Sequence, residues 1–159
     1  MGGFSAEAKK GSCVVGYIGW IRDYKPIECL IEAVGDLRRE GQDVRVFFAG
    51  FGPDEKRLRR LCGNLDYVDF RGPYQYDRDI RSLYEQIDVV FSVFDIGVAN
   101  SKILLPNRFY EAIIAGLPII VAQNTMLAQR VEKLGTGYLV DYLSRDGMKA
   151  AILSWIEQD

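Results

Sequence analysis

The chain of 159 residues contains no histidine, and this absence removes several kinds of catalytic site. A nucleophile activated by histidine, a histidine-ligated metal and a histidine general base are all excluded within this sequence. Any chemistry that the chain performs must therefore depend on carboxylates, on lysine and arginine side chains, and on backbone dipoles.

Cysteine is also scarce. The three cysteines, Cys13, Cys29 and Cys62, are odd in number and lack the spacing of a metal site. Cys13 falls in a predicted strand and Cys29 in a predicted helix. We therefore expect reduced thiols in a cytoplasmic protein.

The sequence also lacks an excess of basic residues and a long apolar run. Its net charge is −2 with both signs interspersed, which argues against a nucleic-acid partner. A membrane span needs ~20 apolar residues. The longest apolar stretch, residues 112–122, is much shorter and contains a proline. No secretory signal is visible, and we interpret residues 1–11 as a tail or linker and residues 12–159 as one domain.

What the chain does contain is an alternation of strand-like and helical patterns. The helical segments have a 3.6-residue apolar period, and the strands are short runs rich in Val, Ile and Phe. This order predicts an α/β fold, a doubly wound, Rossmann-like parallel sheet of about six strands with helices on both faces. Such sheets bind ligands beyond the carboxyl ends of their strands. The predicted strands are 13–18, 44–49, 67–70, 89–93, 119–122 and 138–140, and the predicted helices are 26–39, 54–62, 78–87, 106–115, 125–134 and 145–157.

The most informative segment is LLPNRFYEAIIAGLPIIV, residues 104–121. A proline at the first helical position opens a predicted helix, a glycine ends it, and an apolar strand follows. The backbone N–H groups of Asn107 and Arg108 are then free at the helix start, where a phosphate binds favourably. Glu111 lies on the same face as Arg108, and its carboxylate can accept hydrogen bonds from two adjacent hydroxyls, as a ribose presents. The alternative is a surface ion pair between Arg108 and Glu111, worth only about 0.2–0.5 kcal/mol.

This segment resembles the signature of group 1 glycosyltransferases, and three earlier loops resemble that family in the same order. The resemblance covers about residues 12–157 and is to the carboxy-terminal, nucleotide-sugar-binding half of a retaining enzyme of the GT-B fold. It implies a domain that binds a nucleoside diphosphate sugar, whose sugar the whole enzyme transfers to an acceptor hydroxyl in glycan biosynthesis. It also implies a missing amino-terminal, acceptor-binding domain, through which any membrane contact would come. We expect negligible turnover from the isolated chain.

The first loop, GYIGWIRDYKP, lacks the GxGxxG pattern of a dinucleotide oxidoreductase. In the family, a lysine six residues after a glycine pairs with the donor diphosphate, and Gly19 and Lys25 have that spacing. The family's arginine after the glycine is Trp20 here, and Arg22 could supply the missing cation. The alternative is that Arg22 and Lys25 are solvated loop charges. Given the resemblance, Lys25, Arg22, Arg108 and the helix N-terminus before Asn107 are placed to stabilise the charge that develops on the departing diphosphate. Glu111, the last residue of the expected catalytic set, would orient the nucleotide rather than transfer protons.

Two further loops complete the resemblance. FFAGFGPDEKRL is similar to the family's Gly-x-Gly-Pro segment, which we interpret as a turn rather than a ligand contact. After the strand that ends at Phe70, the family holds its nucleobase largely by backbone groups, which implies Arg71, Gly72, Pro73 and Tyr74 here. Tyr74 could stack on a base or simply cover the sheet edge.

The triplet Asp77-Arg78-Asp79 spells a D-x-D, which binds a metal in another glycosyltransferase fold. Here it falls in the first turn of a predicted helix, where acidic residues complement the helix dipole. We therefore predict no metal and no other cofactor, because the nucleotide sugar would be a substrate.

One departure from the family pattern concerns its usual pair of glutamates. Counting eight residues back from Glu111 reaches Ile103, so the first glutamate is absent, and Lys102 or Asn100 could substitute for it. This departure and Trp20 keep a second function open, a non-catalytic or degenerate nucleotide-binding regulatory module. The first loop disfavours a Rossmann dehydrogenase.

Overall fold

The computed structural model describes residues 11–158 and contains a six-stranded sheet in which every strand pair is parallel. All predicted strands and helices are present, with ends displaced by no more than three residues. A short 3-10 turn, Ser101–Ile103, is additional. The strands are β1 (Ser12–Ile18), β2 (Asp43–Ala49), β3 (Val68–Phe70), β4 (Val89–Ser92), β5 (Ile119–Ala122) and β6 (Gly137–Val140), and the helices are α1 (Tyr24–Arg39), α2 (Glu55–Leu61), α3 (Tyr76–Tyr84), α4 (Asn107–Ala115), α5 (Met126–Leu134) and α6 (Arg145–Ile156).

The strand order is β3-β2-β1-β4-β5-β6, which confirms the predicted doubly wound α/β sheet. The chain builds outward from β1 to β3, then returns to the centre and builds outward on the other side. The connections that follow β1 and β4 therefore diverge to opposite faces of the sheet. A crevice opens between them at the carboxyl ends of the strands, where such folds bind ligands.

The sheet separates two apolar cores, which explains the near-continuous apolar runs of its strands. Helices α1, α2 and α6 cover one face, where the buried side chains include Leu30, Val34 and Met148. Helices α3, α4 and α5 cover the other face, where they include Leu83, Phe109 and Val131. Of the predicted tail, residues 1–10 lie outside the described range. Within residues 11–158, no helix has both the length and the apolar character that a bilayer crossing requires.

The start of α1 differs from the prediction by two residues. The helix begins at Tyr24, whose backbone N–H donates to Asp54 Oδ2 at 3.2 Å, and Asp23 precedes it with a left-handed φ of 62°. Pro26 is tolerated inside the first turn because the N–H that it lacks would have no intrahelical acceptor there. Lys25 therefore lies on the helix rather than in the loop.

An ionic cluster joins α1 to α6 on the outer surface. Asp36 accepts hydrogen bonds from Arg145 of α6 and from Arg39 of its own helix, and Lys149 Nζ lies 4.0 Å away. The Arg145 guanidinium, with Arg39, lowers the pKa of Asp36 to about 2. The ionised carboxylate therefore favours the folded state.

We expect Arg145→Gln to reduce the sensitivity of the fold to acid. The pKa of Asp36 is about 2 in the folded state and about 3.9 in a free aspartate. Its contribution to stability is thus complete above about pH 4 and is lost as the pH falls toward about 2. Urea denaturation across this range should show a shallower acid decline of the free energy of unfolding in the variant. Arg59→Gln, which removes an exposed pair with Glu55, is the control, and equal acid slopes in wild type and Arg145→Gln would contradict the assignment.

Candidate nucleotide-binding site

A cavity of about 320 Å³ opens at the carboxyl ends of β1 and β4, at the predicted crevice. It gathers loops from four parts of the chain, those after β1, β3 and β4 and the start of α4. Six of the predicted site residues line it, namely Gly19, Arg22, Tyr74, Asn107, Arg108 and Glu111. The four others, Lys25, Arg71, Gly72 and Pro73, lie outside this lining.

Arg108 is the most unusual side chain of the cavity, because it is a cation that is only 7% exposed. Its guanidinium carbon lies 4.0 Å from the ring centroid of Tyr17 and 5.5 Å from that of Phe94. The Nη1 atom is buried and has no hydrogen-bond partner within residues 11–158. A buried donor without an acceptor costs free energy, and an anion bound in the cavity would offset part of that cost by placing negative charge against this guanidinium.

The start of α4 adds backbone donors beside this cation. The helix begins at Asn107, with Pro106 as its N-cap, one residue later than predicted. The N–H groups of Asn107 and Arg108 have no intrahelical acceptor by position, whereas Phe109 N already donates to Pro106 O at 3.0 Å. The helix N-terminus and the guanidinium therefore favour negative charge at the same place.

Gly19 is held at the cavity wall by close backbone packing. Its N–H donates to Ala49 O, and Gly50 N donates to Gly72 O, each at 2.9 Å. Gly50 has a φ of 120°, and a Cβ placed there would lie only 2.0 Å from the carbonyl oxygen of Gly19. A Cβ placed on Gly19 would lie 3.8 Å from Nη1 of Arg108, so this backbone brings the β1 loop close to the cation.

Glu111 is held by two tyrosine hydroxyls from α3 rather than by Arg108. Tyr84 donates to Oε2 at 2.5 Å and Tyr76 donates to Oε1 at 2.9 Å. The alternative ion pair between Arg108 and Glu111 is absent from the described residues. Burial, reinforced by the Glu111 carboxylate, raises the pKa of Tyr84, so this phenol remains a proton donor.

The two cations of the first loop differ in their placement. Arg22 lines the cavity with its guanidinium carbon 5.7 Å from the ring centroid of Phe94 and Nε 3.8 Å from Asp23 Oδ2. Lys25 is exposed on the first turn of α1. Of these two cations, Arg22 is therefore the one whose side chain lies at the cavity.

The nucleobase loop contributes one side chain to the cavity. Tyr74 is half-buried, packs against the core beneath α3 and also lines the cavity. Arg71 is exposed and donates to Pro73 O at 3.1 Å, and the Gly72 carbonyl is used by Gly50. The predicted roles of Arg71 and Gly72 thus remain predictions.

Two exposed aromatic rings form the rim next to this loop. Trp20 and Phe51 are 55% and 52% exposed, and their rings meet edge to face with centroids 5.2 Å apart. An adjoining recess of about 260 Å³ lies between them and the side chains of Tyr74 and Tyr76. The cationic cavity therefore continues into an aromatic one.

The D-x-D triplet is part of a helix N-terminus, as predicted. Asp79 accepts hydrogen bonds from Gln75 N at 2.9 Å and from Arg78 Nε at 2.8 Å. The Arg78 guanidinium and this backbone N–H lower the pKa of Asp79 to about 2. Across the part of the chain that the structure describes, no three His, Cys, Asp or Glu side chains are arranged to hold a metal.

A larger cavity, of about 510 Å³, lies at the opposite edge of the sheet, near Pro118, Gly137 and Trp155. Among the described residues its lining contains no charged side chain, so no side-chain cation is there to neutralise a phosphate. The chemistry-bearing residues thus converge at the smaller cavity.

Five aromatic residues of the site were not anticipated as site residues, namely Tyr17, Trp20, Tyr76, Tyr84 and Phe94. The helical period over residues 78–87 places Tyr84 on one apolar face with Ile80, Leu83 and Ile87. A buried tyrosine hydroxyl generally finds a partner. This rule indicates from the sequence that the Tyr84 hydroxyl is hydrogen-bonded, but it does not identify Glu111 as the partner.

The chain is similar to known proteins in sequence and in fold. Residues 12–158 match the family model described as "Glycosyl transferases group 1". The chain is 25% identical over 123 residues to the putative colanic acid biosynthesis glycosyltransferase WcaL of Escherichia coli, covering 76% of this chain and 30% of that protein. It is 29% identical over 118 residues to the alpha-D-kanosaminyltransferase of Streptomyces kanamyceticus, covering 74% and 28%.

A solved structure, that of HepE from Anabaena in complex with UDP and glucose, superimposes with a TM-score of 0.71 at 20% identity. The superposition covers 93% of this chain and 39% of HepE, and it supports the GT-B type of α/β fold. The chain spans 28–35% of the length of the curated relatives that it matches. The family match over almost the whole chain shows that it belongs to the group 1 glycosyltransferases.

Proposed function

We propose that this chain is the donor-binding, carboxy-terminal domain of a retaining glycosyltransferase. The enzyme would transfer a sugar from a nucleoside diphosphate sugar to an acceptor hydroxyl. The observation that carries the proposal is the buried Arg108 guanidinium at the start of α4, whose Nη1 has no acceptor within residues 11–158 and lies close to Gly19. The complex of HepE with UDP and glucose supports a nucleotide sugar as the ligand class.

In this proposal the diphosphate lies between the β1 loop and the N-terminus of α4. Arg108 and Arg22 neutralise the charge that develops on the departing diphosphate, together with the N–H groups of Asn107 and Arg108. Lys25 would reach the phosphates from α1, a role that only its spacing from Gly19 supports. Glu111 accepts hydrogen bonds from the ribose and orients the nucleotide without transferring a proton.

The rest of the reaction belongs to the part of the enzyme that the relatives have in addition. Transfer between two substrates depends on holding the acceptor against the donor, which supplies much of the rate. We therefore propose that these 159 residues bind donor and contribute negligible turnover alone. Release of nucleoside diphosphate from nucleotide sugars, with and without the acceptor-binding half, is the corresponding assay.

Nucleoside diphosphates are expected to bind the chain and stabilise it without Mg²⁺. Calorimetry with UDP, GDP, ADP, CDP and dTDP, in EDTA and then in Mg²⁺, measures this directly. At a ligand concentration ~100 times the dissociation constant, the free energy of unfolding should rise by about 2.7 kcal/mol. Absence of binding by all five diphosphates at millimolar concentration would refute the proposed site, and a strict Mg²⁺ requirement would refute the metal-free part.

The second candidate is a nucleotide-binding regulatory module without activity. Ile103 and Trp20, which stand at two altered motif positions, favour it. Such a module would bind a nucleoside diphosphate, but its full-length protein would release none from any nucleotide sugar. Binding of NAD instead of the diphosphates would indicate the dehydrogenase alternative.

A further inference from the structure

The Glu111 carboxylate is contacted from two sides by hydroxyls with very different access to solvent. Tyr84, on the core side, is 3% exposed, and its hydroxyl lies 2.5 Å from Oε2. Tyr76, on the cavity side, is 52% exposed, and its hydroxyl lies 2.9 Å from Oε1. One hydrogen bond is therefore fixed by packing, and the other is open to exchange.

The buried bond determines where the carboxylate points. Tyr84 packs among the apolar side chains beneath α3 and α4, so its hydroxyl cannot follow Glu111 if the acid rotates. A short hydrogen bond from a neutral donor to an ionised acceptor is stronger than one between neutral groups. Holding Oε2 in this way leaves Oε1 to the hydroxyl of Tyr76, and both Glu111 and Tyr76 line the cavity.

The exposed hydrogen bond, from Tyr76 to Oε1, occupies the acceptor site that a ribose hydroxyl would use. Tyr76 lines the same cavity as Glu111, and its hydroxyl is already donated to the cavity-side oxygen. A ribose hydroxyl that donates to Oε1 meets the same lone pairs, so it competes with the phenol. Because Tyr76 is largely exposed, water can satisfy its hydroxyl after displacement.

We infer that Tyr84 is a positioning residue that aims Glu111 at the ribose, and that Tyr76 holds the ribose position until the nucleotide displaces it. This inference rests on the proposed function, because it assumes a nucleotide in the cavity. It predicts that the two tyrosine hydroxyls that contact this one carboxylate have opposite effects on nucleotide affinity. Losing the Tyr84 hydroxyl weakens ribose binding, and losing the Tyr76 hydroxyl strengthens it.

The test compares UDP with 2′,3′-dideoxy-UDP, which lacks the ribose hydroxyls, by calorimetry on the whole chain. Wild type should bind UDP roughly tenfold or more tightly than the dideoxy nucleotide, since hydrogen bonds to a charged acceptor are strong. Tyr84→Phe should reduce that ratio to about threefold or less, mainly by weakening UDP. Tyr76→Phe should bind UDP about threefold more tightly and leave the dideoxy nucleotide unchanged.

Tyr138→Phe is the matched control, because it removes a hydroxyl that accepts from Gln158 at 2.9 Å, far from the cavity. It should alter neither affinity. If Tyr84→Phe weakens both nucleotides equally, its role is structural and the positioning inference is wrong. If Tyr76→Phe weakens UDP, the displacement part is wrong. Failure of wild type to bind UDP or any other diphosphate refutes the proposed function itself, and the inference with it.

Discussion

Replacement of Gly50 with alanine is expected to destabilise the fold strongly. The new Cβ would lie 2.0 Å from the carbonyl oxygen of Gly19, and the residue has a φ of 120° that L side chains rarely adopt. The neighbour is backbone and cannot rotate away. We expect a loss of more than about 4 kcal/mol in the free energy of unfolding, which is a large share of a domain's stability.

Gly41→Ala is the matched control for this experiment. Gly41 also has a positive φ, of 91°, but within residues 11–158 no atom beyond its two chain neighbours lies within 4 Å of its added Cβ. Only the backbone conformation is penalised there, at about 1–2 kcal/mol. Urea denaturation of both variants separates the two causes. Similar losses in the two variants would mean that the close approach of Gly50 to Gly19 is not what constrains the loop.

Arg108→Ala should produce the largest loss of nucleotide affinity. The guanidinium is buried, so its interaction with a diphosphate is poorly screened and should be worth about 1.5–3 kcal/mol, or roughly 10- to 150-fold in affinity. Uridine has no phosphate, so its affinity should change little. Calorimetry with UDP and with uridine measures both effects on the same protein.

Two control variants separate the effect of the Arg108 charge from the effects of its planar shape and its burial. Arg108→Lys keeps the charge but loses the planar group that lies over Tyr17, so it should restore only part of the affinity. Lys25→Ala should weaken UDP less, and its effect should shrink in high salt because Lys25 is exposed. Equal weakening of UDP and uridine in Arg108→Ala would place Arg108 in the structure of the site rather than at the phosphates.

The fold could be predicted from the sequence because its signals are local and repeated. Apolar residues recur at the helical period, short Val- and Ile-rich runs lie between them, and glycine or proline ends most segments. These features decide which face of an element is buried. They determine the ends of helices less well. In α1, for example, Pro26 suits the first helical position but is equally tolerated later in the first turn, so it does not fix where the helix begins.

The site could be predicted where its residues are close in sequence. Asn107, Arg108 and Glu111 lie on one short helix, and the structure brings them to one cavity with Gly19 and Arg22. Their ligand roles remain predictions until binding is measured.

The tyrosines of the site could not be predicted by the same reasoning. Periodicity places Tyr84 on a buried face, but it does not indicate that its hydroxyl meets a carboxylate 27 residues later. The Arg108–Glu111 pair was expected as an alternative because the two residues are adjacent on a helix. Contacts from other elements replace this pair, since Tyr17 packs over the Arg108 guanidinium and two tyrosines of α3 donate to Glu111.

The position of Trp20 gives the protein an optical property. The chain has two tryptophans. Trp20 stands at the rim of the cationic cavity with its ring 55% exposed, and Trp155 lies at the far edge of the sheet. A nucleotide that enters the cavity changes the polarity and quenching around one indole only. Trp155 then contributes a constant background, so a change in the total tryptophan emission reports occupancy of the cavity in unlabelled protein.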